Sequence, residues 1–440
     1  MPRSFVPHRL ADIVSHVASR LSCVLTLFFA AAWPVSAQRA APASARSSVN
    51  VPSAAPFDAT RLSRIDSMVQ RLVTSQKIPG AVVLLVHNGS VAYHKAFGYR
   101  DVGTKTPLQR DDIFRMASQT KAVTSLAAMM LWEEGRFQLD DPVALYLPEF
   151  RQARVMTKFN AADSSYEARP ATRRMTIRQL FTHTSGLDYP GIGSEDFRAI
   201  YAKAGVPSGI GTDDAVLAEK VKLLGTLPLK HEPGERFTYG LSVDVLGRLV
   251  EVLSGMPLDE FFRTRIFVPL RMHDTWFGLP SDKQARLVAL HSEKDGKVSS
   301  SHTPDGGIHP DYPNRPLKYF SGGAGLSGTT GDYARFLQLF LNGGELDGAR
   351  LLGRKTVDMM LTNQIGALQP AFGLGFALET PQNDGTTPLS LGSFSWGGAF
   401  ATTYWADPKE QLVGLIYTNV YGSTARLGDQ FKTLVYSALR

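Results

Sequence analysis

Thiols are nearly missing from this sequence of 440 residues, in which Cys23 is the single cysteine. It lies inside an N-terminal apolar stretch, so a chain cut behind that stretch has no thiol. Disulfides, thiolate catalysis and cysteine metal sites are then excluded. Cys23 also precedes the end of the stretch, the wrong place for a lipid-modified N-terminus. Long hydrophobic runs are missing as well. Leu21 to Trp33 is too short for a comfortable membrane span, and nothing later approaches one. No run of Lys and Arg is interleaved with aromatics, so no nucleic-acid partner is expected. The formal charge of +7 is unevenly spread. Arg3, Arg9, Arg20, Arg39 and Arg46 against Asp12 put +4 into residues 1–57 and leave +3 for the rest. There is no His-Glu-x-x-His or comparable spacing, so no metal is expected, and no cofactor. The glycine-rich Gly322 to Gly328 lacks the Lys-Ser/Thr of a phosphate loop. Gly-x-Ser-x-Gly, the nucleophile elbow of α/β-hydrolases, does not occur.

What is present begins with an export pattern. Arg3, Arg9 and Arg20 form a basic region, the apolar stretch follows, and Val35-Ser36-Ala37 supplies small residues for a signal peptidase. We expect a signal peptide over residues 1–37 and a periplasmic or secreted protein, with no stable membrane insertion after cleavage. Residues 38–56, rich in Ala, Ser and Pro, read as a flexible leader. One folded domain is expected over 57–440, with the composition of an ordinary globular protein.

Along that domain, Leu62, Ile65, Met68, Leu72 and Val73 are spaced for one helical face. Ala81 to Val86 and Val91 to Phe97 flank Asn88-Gly89, a strong hairpin signal. Ala399 to Trp405 and Gln411 to Thr418 flank Asp407-Pro408 and repeat the pattern, followed by a helix from about Ala425 to Leu439. Helical spacing recurs in Lys121 to Glu134, ending at Gly135, and in Met175 to Phe181, Val216 to Leu224, Val243 to Leu253 and Thr329 to Leu341. Residues 281–325 read as a long polar loop. This order predicts an α/β (α+β) fold: an antiparallel sheet built from both chain ends, flanked by helices, with a mostly helical subdomain inserted.

Ser118-Gln119-Thr120-Lys121 is the chemical centre. A serine hydroxyl is a weak nucleophile and needs a base within hydrogen-bond reach. Residues three apart share one helix face, so Lys121 brings an amine beside the Ser118 hydroxyl. A desolvated amine can take the proton, or hold a partner in its basic form. The tetrapeptide alone is a weak signal, since a chain this long shows roughly one such match by chance.

The flanks carry more. Phe114-Arg115-Met116-Ala117 before the serine and Ala122-Val123-Thr124-Ser125 after it resemble the serine β-lactamase and penicillin-binding superfamily. The resemblance is strongest to class C β-lactamases and the family VIII carboxylesterases grouped with them. Ile78-Pro79-Gly80-Ala81, Ala96-Phe97-Gly98-Tyr99, Thr182 to Leu187, Pro233-Gly234 leading to Tyr239, and Gly322 to Leu326 with Asp332-Tyr333-Ala334 follow in the family's order, over roughly residues 60 to 438. The resemblance implies that Tyr239 is part of the catalytic set. Phenols ionise well above neutrality in water, so a tyrosine base needs a cation close by, and Lys121 is the candidate. Which of the two takes the proton stays open.

Two motifs depart from the family. Many class C enzymes have Tyr-x-Asn, whereas this chain reads Tyr239-Gly240-Leu241-Ser242; Ser242 or Asp244 could compensate, and Asp244 could equally be a structural contact. The Lys-Thr-Gly-type triad is replaced by Trp396-Gly397-Gly398, similar to family VIII esterases. The backbone N–H groups of Ser118 and Ala399 are the expected oxyanion hole. Trp396, Gly397 and Gly398 are expected to bind substrate, with Trp396 an apolar wall where β-lactamases place a cation. His183 reads as structural, and His302 and His309 as solvated. We therefore expect a serine hydrolase acting on a small ester or amide, first a carboxylesterase for short-chain esters. A β-lactamase or D-amino-acid peptidase is the alternative, disfavoured because a desolvated substrate carboxylate would lack a partner. A non-catalytic scaffold on the same fold stands further back.

Overall fold

The computed structural model describes residues 56–212, 215–301 and 308–440. The expected signal peptide, nearly all of the leader, and His302 lie outside these residues.

β1 (Gly80–His87) is an unbroken apolar run, buried through Val86 on both faces. At its end Asn88 and Gly89 take φ of 49° and 72°, and the chain returns as β2 (Ser90–Asp101). Positive φ at both central residues is the hairpin turn whose twist matches that of the strands. β3 (Thr106–Pro107) extends this edge. The other half of the sheet comes from the far end of the chain: β4 (Ala377–Leu378), β5 (Phe394–Gly398), β6 (Thr402–Asp407) and β7 (Leu412–Tyr417). The order is β4-β5-β6-β7-β1-β2-β3, antiparallel throughout, with Val82 opposite Tyr417 and Leu85 opposite Gly414 at the central seam. Asp407 closes the β6–β7 turn by accepting the N–H groups of Lys409 and Glu410 at 3.0 and 3.1 Å.

Side chains alternate across the sheet. Ala81, Val83, Leu85, Trp405 and Ile416 pack on one side against α1 (Arg64–Thr74), through Ile65, Met68 and Val69, and against α5 (Leu427–Ala438), through Phe431 and Val435. Val82, Leu84, Tyr404, Val413 and Leu415 face the larger core on the other side, which contains α2 (Thr120–Glu133), α3 (Ser242–Ser254) and α4 (Thr330–Leu341). α2 is buried on all sides from Thr120 to Leu131, so the helix that carries the chemistry is fixed by the middle of the core.

Three expectations need correction. The strand placed at Ala399 begins at Thr402; residues 399–401 are the turn, with Ala401 at φ 56°, and Trp396 to Gly398 belong to β5. Two glycines hide a strand from propensity, which here is overridden by pairing of Trp396 with Tyr404. The loop over 281–325 contains a hairpin, His291–Lys294 with Lys297–Ser300, turning at Asp295-Gly296. The helical subdomain holds another, Arg154–Asn160 with Ser165–Pro170. In the two hairpins only His291 and Val155 are buried, so neither carries a run of buried apolar residues that would mark it as a strand. The expected helices stand at Ile177–Phe181 and Leu217–Leu224 and as α1 to α5, while Glu195–Ala204 and Leu258–Phe262 are additional.

Candidate active site

The approach to Ser118 is anchored before the serine is reached. Phe114–Arg115 pairs with Ser327–Gly328. Arg115 is fully buried and donates its N–H to Asn419 Oδ1 at 3.0 Å and its guanidinium to the Val288 carbonyl at 2.6 Å. Ala117 then takes a left-handed φ of 44°, costly for a residue with a Cβ. A short turn, Ala117–Gln119, carries Ser118 into α2. Thr120 Oγ1 donates to the Ala117 carbonyl at 2.7 Å and accepts the Leu326 N–H at 3.0 Å, locking the elbow.

One helical turn on, the buried Lys121 donates to the Gly323 carbonyl at 2.7 Å and to Ser118 Oγ at 3.3 Å. The Tyr239 hydroxyl hydrogen-bonds the same Oγ at 2.6 Å. Lys121 Nζ also stands 4.7 Å from the Tyr239 ring centre. The structure thus brings Ser118, Lys121 and Tyr239 together, although Tyr239 comes from another segment.

Tyr239 owes its position to the segment around His183, which follows the helix Ile177–Phe181. Gly234 N–H donates to the Thr184 carbonyl and Thr238 N–H to the His183 carbonyl, both at 2.7 Å. Gly240 must be glycine, because a Cβ there would sit 2.2 Å from the Leu187 carbonyl oxygen. The His183 ring packs 4.7 Å from that of Tyr239. Burial, and then the Lys121 charge, hold this imidazole well below its ordinary pKa, so it is neutral. His183 is a packing partner, as read from sequence, and the half-exposed His309 contacts Asp311.

Neither candidate substitute for the missing amide is open to a substrate. Ser242 Oγ is buried and bonded to Ser185 Oγ at 2.8 Å. Asp244 is buried and accepts from Ser321 Oγ at 2.6 Å. Burial pushes its carboxyl upward, opposed by Ser321, Lys121 and the Gly323 N–H. Asp244 therefore acts on the loop that holds Lys121.

β5 closes the other side. A Cβ on Gly398 would lie 2.2 Å from the Met116 carbonyl oxygen, so the glycine lets the end of the strand touch the elbow. Gly397 precedes it in the same strand, and Ala399 follows, exposed, at the start of the turn. The half-buried Trp396 ring lies 5.5 Å from Tyr239 and 5.3 Å from Phe372. Sequence reasoning missed Phe372, Phe237, which packs on it at 5.4 Å, and Tyr189, stacked on Tyr239 at 5.7 Å. Phe237 and Tyr189 do follow recognisable motifs closely; Phe372 carries no local signal. The Tyr189 phenol is buried and pushed well above its ordinary range by that burial, with Tyr239 and Asp244 adding to it. Among the described residues, no group of three or more His, Cys, Asp or Glu is placed to hold a metal ion.

A family model described as Beta-lactamase matches residues 65–435. The chain belongs to this family. Among Beta-lactamase-family relatives, esterase EstB of Burkholderia gladioli is 31% identical over 389 residues, 84% of this chain and 93% of the relative. EstCE1, described as a hydrolase with promiscuous acyltransferase activity, superposes with a TM-score of 0.74 at 27% identity, covering 86% of this chain and 99% of EstCE1. Simvastatin synthase LovD of Aspergillus terreus gives 0.73 at 26%, covering 86% and 99%. As a member of the Beta-lactamase family with esterase and hydrolase relatives, the protein is a serine hydrolase.

Proposed function

We propose that this protein is a carboxylesterase for small uncharged esters, working through an acyl-enzyme on Ser118. The observation that carries the reading is the convergence of Lys121 Nζ and the Tyr239 hydroxyl on one Oγ, at 3.3 and 2.6 Å. Ser118 Oγ attacks the ester carbonyl and forms the C–O bond as its proton leaves through the Tyr239–Lys121 pair, with Lys121 offsetting the charge that moves. The N–H groups of Ser118 and Ala399 are assigned to the tetrahedral oxyanion; one such donor is worth about 3 kcal/mol. The alcohol departs as the proton returns to it, and water repeats the sequence on the acyl-enzyme.

Substrate class follows from what flanks the serine. Trp396, Phe237 and Phe372 offer apolar surface where the penicillin-recognising members of the superfamily have a cation. A substrate carboxylate would be desolvated there without a partner, which argues against β-lactams and D-amino-acid peptides. The same aromatic surface suits an apolar alcohol as acyl acceptor in place of water, a second reading in keeping with EstCE1 and LovD.

The test is turnover of p-nitrophenyl butyrate and a chromogenic cephalosporin by wild type and Ser118→Ala. Ester turnover that falls at least a thousandfold in the variant, with little cephalosporin cleavage, is expected. Fast cephalosporin cleavage, or ester turnover indifferent to Ser118, would overturn the reading.

A further inference from the structure

Away from the Ser118 site, and sharing no lining residue with it, a cavity of about 510 Å³ opens between residues 142–153 and 171–175. Phe150 and Met175, both buried, form its apolar floor, and Leu145, 66% exposed, stands at its rim. Arg151, Arg173 and Arg174 line the same opening with exposed side chains. Among the described residues, none of these three guanidinium groups has an ion-pair or hydrogen-bond partner, whereas neighbouring cations are engaged: Arg178 forks onto Asp140 and Arg169 pairs with Glu232.

Glu232 does not supply the missing counter-charge. Besides Arg169, its carboxylate accepts the N–H of Thr172 at 3.0 Å and the N–H of Arg173 at 3.2 Å. That carboxylate fixes the backbone of the segment and leaves the arginine heads unneutralised. Three like charges around an apolar hollow repel one another, and a bound anion relieves the repulsion. Guanidinium forks fit a carboxylate in two-point fashion, and an apolar chain gains by covering the floor. The volume lies within the range of small-molecule sites.

We propose that this cavity binds a free medium-chain carboxylate, its head among Arg151, Arg173 and Arg174 and its chain on Phe150 and Met175. The site is independent of the esterase chemistry and stands or falls separately from it. Calorimetric titration of the full chain with decanoate, below its micelle concentration, tests it. Saturable binding is expected that weakens at least tenfold in Arg151→Glu/Arg174→Glu and falls with added salt, while decanol binds at least tenfold more weakly than decanoate. Ester turnover should be the same in wild type and variant. The milder Arg173→Gln/Arg174→Gln should weaken binding at least threefold and guards against a folding defect in the charge reversal. Absence of saturable binding, equal affinity for decanol, or affinity unchanged in both variants would overturn the proposal. So would recruitment to anionic phospholipid vesicles without binding of monomeric decanoate.

Discussion

Lys121 is held to Ser118 through the carbonyl of Gly323, and that glycine has no room to change. A Cβ there would lie 2.3 Å from Asp244 Oδ2 and 3.5 Å from Lys121 Nζ. Gly323→Ala must therefore displace either the carboxylate or the carbonyl, and with them the amine. We expect kcat for ester hydrolysis to fall at least tenfold with little change in KM, while circular dichroism stays that of a folded protein. A kcat within twofold of wild type would mean that Lys121 is not positioned through this loop. Ser118, Lys121 and Tyr239 were legible because each sits in a short ordered motif, and Trp396 because it replaces one. Gly323 was visible only as part of a family match, and its hold on the amine was not. Asp244 was named beside the Tyr239 motif but not its hold on the Gly323 loop, and Phe237 and Tyr189 follow motifs without being singled out. Phe372 reaches the site through packing between distant segments, which leaves no local trace.

Turns separate two costs that a glycine can hide. Gly89 in the β1–β2 turn has φ 72° with nothing within 4 Å of a Cβ, so only backbone conformation resists substitution. Gly98 in β2 has φ 74°, and its Cβ would meet the Pro79 carbonyl oxygen at 2.4 Å. Gly89→Ala is expected to cost about 1 kcal/mol, and Gly98→Ala upwards of 3 kcal/mol because main chain must move as well. Urea denaturation of both variants measures the difference, and equal losses would contradict it. The first turn was plain in the sequence, as were the apolar helices. The hairpins at 154–170 and 291–300 were not, because strands with only one buried residue in each hairpin, Val155 and His291, lack the repeated apolar positions that mark a strand.

At the scale of the whole molecule, buried imidazoles tie stability to acidity. His291 is buried beside Val420, and desolvation carries its pKa down to about 4. In the unfolded chain it titrates at about 6.5. Between these values the unfolded state binds the additional proton, so His291's contribution to stability is present above about pH 6.5 and is lost as pH falls toward 4. The buried, neutral His183 acts in the same direction. Asp332 opposes them: desolvation raises its carboxyl to about 6, so its penalty is relieved as pH falls from 6 toward 4. The His291 contribution is isolated by comparing wild type with His291→Gln from pH 7.5 to 4.5. The stability advantage of wild type should shrink by about 2 kcal/mol over that interval. A constant gap would show that His291 does not titrate as its burial requires.

The seam between β1 and β7 has a consequence for synthesis. Val82 leaves the ribosome early and Tyr417 late, yet the two lie side by side at the middle of the sheet. Until β7 emerges, β1, which is buried from Gly80 to Val86 in the finished fold, has one unpaired edge and an unfinished cover on each face. The sheet cannot close piecemeal, because its central contact joins segments far apart in sequence. Until that contact forms, β1 is open to pairing with other chains.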